Sequence, residues 1–277
     1  MEKVPERFYN ETVKHFYIMK GRHKMKLGAQ LFSLRTFIQN PEDLKSTFLK
    51  VKEIGYEVVQ LSGNAPMSAD DILAASEAAA LPIVCTHSPL DRIINDTDAL
   101  IADHKRFGCP VIGLGALPKE AHGSLALANE FFRSVEAPVA KILDSGLNFA
   151  YHNHAFEFDP LSDSDCVLYD YMLEKFPDWH FIGDTYWFAR AGVSPTEYLR
   201  KIGSSRLVNV HYKDMSKDED RAICACGRGR LDFTEITAVC EELGVKNVLV
   251  EQDNAVKMED PFGEMAFSYN HLKNIVK

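Results

Sequence analysis

No stretch of the 277-residue chain approaches the run of about 18 apolar residues that a membrane span requires. The opening MEKVPERFYNETVKHFYIMKGRHK is broken by charge every few residues, so it lacks the apolar core of a signal peptide. An excess of basic residues is missing too. With 31 Lys and Arg against 40 Asp and Glu, the formal charge is −9, which argues against phosphate backbones and anionic membrane surfaces as partners. No GxGxxG or GxxxxGK[ST] turn follows the first strand-like segment, and without that phosphate cradle the dinucleotide and P-loop readings fall. Beside Cys224-Ala-Cys226 there is no second cysteine pair at zinc-site spacing, so the six cysteines read as reduced thiols of a cytoplasmic protein. No Gly/Ser/Pro-rich linker divides the chain, which reads as one domain over residues 25–277 behind an N-terminal extension at 1–24.

What is present is an ordinary globular composition, 46% hydrophobic and 26% charged, arranged as a regular alternation of strand-like and helix-like segments. KLGAQLFSL (26–34) is followed by PEDLKSTFLKVKEIG, whose Leu44, Phe48, Val51 and Ile54 recur at helical spacing before Gly55. YEVVQLSG (56–63) leads into SADDILAASEAAA, where Ser68 and Asp71 form a capping-box-like start. Further strands are expected at 82–89, 110–117, 147–154, 179–187, 207–214 and 245–253, each separated by an amphipathic stretch. Mostly apolar strands linked by helices imply a parallel sheet covered on both faces, and eight unbroken repeats favour a single (β/α)8 TIM barrel over an open sheet.

In such a barrel the chemistry sits where strands run out at their carboxyl ends. Here those positions carry His87 (third strand), His152-Asn153-His154 with Glu157 beyond (fifth), Asp184 (sixth), His211, Lys213 and Asp214 (seventh), and Glu251, Gln252 and Asp253 (eighth). Taken singly, each is more often a capping or hydrogen-bonding residue than a ligand. Together, imidazole and carboxylate from four successive late strands suit a divalent ion such as Mn, Co, Zn, Fe or Mg, and the expected ligands are His152, Asp184, His211 and Glu251.

The strings YHNHAFEF, GDTYWFARAG, VHYKDM and VEQD, each at the end of a late strand, resemble the sugar phosphate isomerase/epimerase family of xylose isomerase-like barrels, relatives of inosose dehydratases and ketose 3-epimerases. The resemblance runs from Lys26 to Lys277. It implies a divalent metal gripping a carbonyl and a neighbouring hydroxyl of a sugar or cyclitol. It also exposes two departures: His152 stands where the epimerases carry a glutamate, and Trp187 where they often carry a histidine. Both look more like the inosose dehydratase and 3-keto-glycoside lyase branches. Endonuclease IV-type hydrolysis would need more ligands and a basic face.

The expected activity is therefore that of a metal-dependent sugar isomerase/epimerase acting by proton abstraction α to a carbonyl. A carbon–oxygen lyase on the same substrates and a non-catalytic sugar-binding barrel are the alternatives. Glu251 or His152 is the candidate base, and Lys213 the oxyanion partner or acid, unless it forms a surface salt bridge with Asp214. His87, His154, Glu157, Trp187 and Arg228 are the candidate substrate contacts, with Gln60 and Phe32 behind them; for Glu157 the competing reading is a solvated loop carboxylate. Arg228 or Arg230, in the polar loop 216–230, is a candidate for binding a phosphate or hydroxyl. A small sugar or cyclitol is the expected partner, and pairing of copies through outer helices is left open.

Overall fold

The computed structural model describes residues 24–276, and eight parallel strands among them close into a ring. The ring strands are β1 (Lys26–Gln30), β2 (Val58–Leu61), β3 (Ile83–His87), β4 (Val111–Leu114), β5 (Asn148–His152), β6 (His180–Asp184), β7 (Leu207–Tyr212) and β10 (Asn247–Val250). β1 pairs with both β2 and β10, which seals the ring. Around it run α1 (Pro41–Ile54), α2 (Ala69–Ala79), α3 (Leu90–Asn95), α4 (Thr97–Arg106), α5 (Leu125–Asp144), α6 (Leu168–Lys175), α7 (Thr185–Arg190), α8 (Pro195–Ile202), α9 (Phe233–Glu242) and α10 (Pro261–Leu272). A small antiparallel pair, β8 (Asp214–Met215) and β9 (Ile223–Cys224), stands outside the ring. This is the expected (β/α)8 barrel. No helix among the described residues is long and apolar enough to cross a membrane. The extension expected at 1–24 lies, apart from Lys24, outside the described residues.

Local chemistry sets the element ends. Asn40 caps α1 by accepting from the Asp43 amide at 2.9 Å, with Pro41 in the first turn. Ser68 does the same for α2 through the Asp71 amide at 3.1 Å, as its spacing predicts. Gly55 ends α1 at a φ of 120°, and a Cβ there would collide with the Tyr269 ring. Two strands are shorter than expected for the same reason, a side chain that starts a helical turn. The Gln30 side chain accepts from the Phe32 amide, turning 31–37 into a 3-10 helix. Asp184 accepts from the Trp187 amide at 3.1 Å and thereby opens α7, where the sequence pattern predicts the strand to run on to 187.

The main core lies between ring and helices; Leu44, Phe48 and Val51 of α1 are fully buried in it. A second, smaller cluster of Cys85, Val111, Ala150 and Ile182 contributes from β3 to β6. Because side chains alternate along a strand, the residue two further on shares the same face. Cys85 is thus followed by His87, Ala150 by His152 and Ile182 by Asp184. One step of two residues separates an apolar floor from the polar end of the barrel.

Candidate metal centre

His152 ends β5, Asp184 ends β6, His211 is the last but one residue of β7, and Glu251 follows β10 directly. In register, Asp184 of β6 stands opposite His211 of β7, and the Glu251 amide donates to the Tyr212 carbonyl at 3.1 Å. Each of the four residues offers one ligand atom, and these atoms all lie within 4.8 Å of one another, in side chains that are all buried. The structure therefore brings together the four residues named from the sequence.

Each has one atom tied back into the fold and the other turned inward. The His152 Nδ1–H donates to the Gly115 carbonyl (2.9 Å), leaving Nε2 to face Asp184 Oδ2 at 3.2 Å. The His211 Nε2–H donates to Gln60 Oε1 (2.8 Å), leaving Nδ1 at 3.0 Å from Glu251 Oε2 and 3.7 Å from Asp184 Oδ2. Asp184 spends Oδ1 on the Trp187 amide, and Glu251 spends Oε1 on the Gln30 side-chain amide at 2.7 Å. Despite its close neighbours, His211 Nδ1 has no partner in hydrogen-bond geometry. Lone pairs meeting lone pairs at this range call for a cation between them, and the outer hydrogen bonds set the tautomers a metal needs.

The charges say the same. Asp184, Glu251 and Asp253 surround the single ammonium of Lys213, at 3.6, 3.2 and 2.6 Å, an excess of two negative charges. Burial alone would raise the Asp184 and Glu251 carboxyls, but Lys213 and the imidazoles hold both below their ordinary range. Burial opposes a charge on His211, yet Glu251 and Asp184 push its pKa up to about 9, so a proton is drawn to the place a cation would take. This donor set, two imidazoles and two carboxylates buried in a negative field, fits a divalent ion and can hold one.

A cavity of about 720 Å³ opens onto the cluster, lined there by His87, His152, His154, Lys213, Glu251 and Asp253. Burial, with the neighbouring imidazoles, keeps His87 and His154 neutral, and His87 Nε2 and His154 Nδ1 are buried without partners. Trp187, expected as a substrate contact, does not line the cavity; its ring packs 4.9 Å from that of His154 and 5.1 Å from Lys213 Nζ. Phe32 does line it.

Several expectations need correction. Lys213 is 1% exposed and turns into the barrel, whereas the next residue, Asp214, points the other way. Its carboxylate accepts from the amides of Met215, Gly227, Gly229 and Leu231, so the two form no surface pair. Glu157 is neither solvated nor in the cavity lining: fully buried, it accepts from the Tyr151 hydroxyl (2.5 Å) and the His154 amide, with burial raising its pKa to about 7. Arg228 is bound by Glu264 at 2.8 Å and lies over Phe267, and Arg230 donates to the carbonyls of Ser216 and Asp218, so neither lines the cavity. Gln60 supports His211 rather than reaching outward. The sequence reading missed Gln30 and the Gly115 carbonyl; an amide ending the small, apolar stretch Leu27-Gly28-Ala29 was the available signal for Gln30.

No protein-family model matches the sequence, and no curated protein matches it. Solved structures share its fold. A sugar phosphate isomerase/epimerase from Parabacteroides distasonis is 21% identical, with 91% of this chain and 100% of that one covered at a TM-score of 0.73. A xylose isomerase-like TIM barrel protein from Mycobacterium smegmatis, in complex with magnesium, is 14% identical over 93% and 98%, with a TM-score of 0.68. The probable 3-DHS dehydratase AsbF from Bacillus anthracis is 14% identical over 90% and 99%, with a TM-score of 0.67. The chain thus has the xylose isomerase-like TIM-barrel fold.

Proposed function

We propose that this chain is a divalent-metal-dependent sugar isomerase/epimerase that abstracts a proton α to the carbonyl of a keto-sugar or cyclitol. The observation that supports it is the convergence of four inward donor atoms, within 4.8 Å of one another, beside a buried lysine at the end of a cavity. A divalent ion held by His152, Asp184, His211 and Glu251 would supply a Lewis acid for the charge that develops on substrate oxygens. His152, its Nδ1–H bound to the Gly115 carbonyl and its Nε2 turned to the cluster, serves as ligand. Glu251, which lines the cavity, takes the proton, and the Lys213 ammonium beside it stabilises the charge that develops on the substrate oxygen or, in elimination, protonates the leaving oxygen. The partnerless nitrogens of His87 and His154 are left to hold hydroxyls.

A carbon–oxygen lyase on the same substrates is the second reading. It is favoured by the lopsided site, in which Glu251 and Lys213 stand on one side and an imidazole, not a second carboxylate, faces them from β5. Among the structures sharing the fold, one is named a probable dehydratase.

Proton NMR in D2O of the Mn-loaded chain, with ketohexoses, scyllo-inosose and a 3-keto-glucoside, tests this, with Glu251→Gln as the blank. Deuterium entering α to the carbonyl with a new ketose or aldose supports the isomerase. Loss of water or aglycone to give an enone supports the lyase. Binding of a ligand without exchange or turnover would sink both and leave a sugar-binding barrel.

A further inference from the structure

The cavity is far larger than a simple sugar needs. A free hexose fills on the order of 200 Å³, taking about 30 Å³ for each water it displaces, against the roughly 720 Å³ present. The remainder runs away from the metal-binding end across the tops of β2 and β3 towards α2 and α4. Much of its wall there is apolar, from Leu61, Met67, Ile72, Leu100, Phe107 and Leu114, with polar side chains such as Asn64, Ser88 and Arg92 among them. The apolar part of this wall stabilises an apolar group.

Polar atoms also stand in this arm, and their hydrogen-bond directions are fixed. The Leu100 carbonyl, 2.8 Å from His104 Nδ1, can only accept, so the proton of this neutral imidazole sits on Nδ1. Burial keeps it neutral, with a pKa lowered to about 4. Nε2 is then an acceptor and takes the Thr86 hydroxyl proton at 2.9 Å. Thr86 Oγ1, its proton spent, accepts from Ser88 Oγ at 2.8 Å. Ser88, which lines the cavity, is left with lone pairs alone to offer a ligand.

Anions find no welcome in the arm. Its one arginine, Arg92, is already bound by Asp96 (2.9 Å) and Asp103 (3.0 Å), two carboxylates against one guanidinium.

We propose that this arm receives an apolar ring bearing a hydroxyl donor, which makes the substrate a keto-sugar joined to a phenolic aglycone rather than a free or phosphorylated sugar. The proposal rests on the reading above that the sugar lies beside Glu251 and His152. The aromatic ring occupies the space between Leu61, Met67 and Phe107, and its hydroxyl donates to Ser88 Oγ.

Isothermal titration of the full chain, stripped of metal with EDTA, with methyl, phenyl and 4-hydroxyphenyl β-D-glucosides reads the arm by itself. The phenyl glucoside is expected to bind at least about tenfold more tightly than the methyl glucoside, from burial of the ring. The 4-hydroxyphenyl glucoside gains a further factor of about five, the scale of one neutral hydrogen bond. Ser88→Ala removes the second increment and keeps the first; Met67→Trp, which fills the arm, removes both. Equal affinity for the three glucosides overturns the proposal, and so does a hydroxyl increment that survives Ser88→Ala. A Mn titration of the same protein reads the metal separately. Aryl preference without Mn binding refutes the metal reading and leaves the arm standing, whereas Mn binding without aryl preference refutes the arm.

Discussion

The side-chain amide oxygen of Gln60, on β2, accepts a hydrogen bond from Nε2 of His211, on β7, at 2.8 Å across the barrel interior. That bond decides which ring nitrogen of His211 carries its lone pair into the cluster. Gln60→Leu removes the acceptor without touching a ligand. Mn affinity is expected to fall about 10–100-fold, the usual cost of losing an outer partner of a ligating histidine. Titration with a competing chelator measures it, and an unchanged affinity would mean that Gln60 plays no part in ion binding.

One divalent ion per chain is expected by elemental analysis after loading and desalting. Asp184→Asn removes one inward carboxylate oxygen and should lower occupancy to a small fraction. Binding also stabilises the folded chain: at an ion concentration 100 times Kd the gain is about 2.7 kcal/mol. EDTA should therefore lower the Tm of the wild type and leave that of Asp184→Asn nearly unmoved.

Glu251→Gln keeps the size of the side chain and removes its charge. The rate of α-deuterium incorporation is expected to drop by about 10²–10⁴, the span attributed to a general base. Lys213 keeps Asp253 at 2.6 Å, so the variant should still fold. Exchange continuing at the wild-type rate would remove Glu251 from the chemistry.

His104 gives a pH dependence unrelated to the ion. Its pKa is lowered to about 4 in the fold, against an ordinary value near 6.5 in the unfolded chain. The unfolded state therefore takes up the proton first as pH falls. The full contribution is present above about pH 6.5, and roughly 3 kcal/mol is lost between there and pH 4. Urea denaturation across that range measures the slope, and His104→Gln should flatten it.

Gly229 sits so close to the Asp214 carboxylate and the Met215 carbonyl that a Cβ there would stand 2.2 Å from the one and 2.4 Å from the other. Gly229→Ala is expected to destabilise the fold by about 1–3 kcal/mol, a typical cost of forcing extra atoms into a packed place. Denaturant midpoints test this.

The barrel and the four converging side chains could be read from the sequence because both follow local rules. Apolar strands alternate with amphipathic helices, and His152, Asp184, His211 and Glu251 all sit at strand ends. What could not be read depends on which way a side chain turns once the ring has closed. Lys213 and Asp214 are neighbours in sequence, yet one faces three carboxylates in the barrel and the other organises a loop. Arg228 and Arg230 looked like anion binders because their partners, Glu264 and the carbonyls of Ser216 and Asp218, are brought to them only by the fold. Gln30 carried no motif at all; its role appears only when β1 comes to lie against β10.

That closure has a kinetic side. Gln30 and Glu251, hydrogen-bonded at the seam where the ring seals, are separated by 221 residues; the four donor atoms come from β5, β6, β7 and the end of β10, but the side chains that orient Glu251 and His211, Gln30 and Gln60, come from the first two strands. The centre is therefore fully oriented only when the first and last strands of the ring meet, the contact that costs the most loop entropy. An ion seated there ties the end of β10 to β5, β6 and β7. Opening the barrel there then requires the ion to leave, so the loaded protein should resist unfolding and proteolysis for longer than the stripped one.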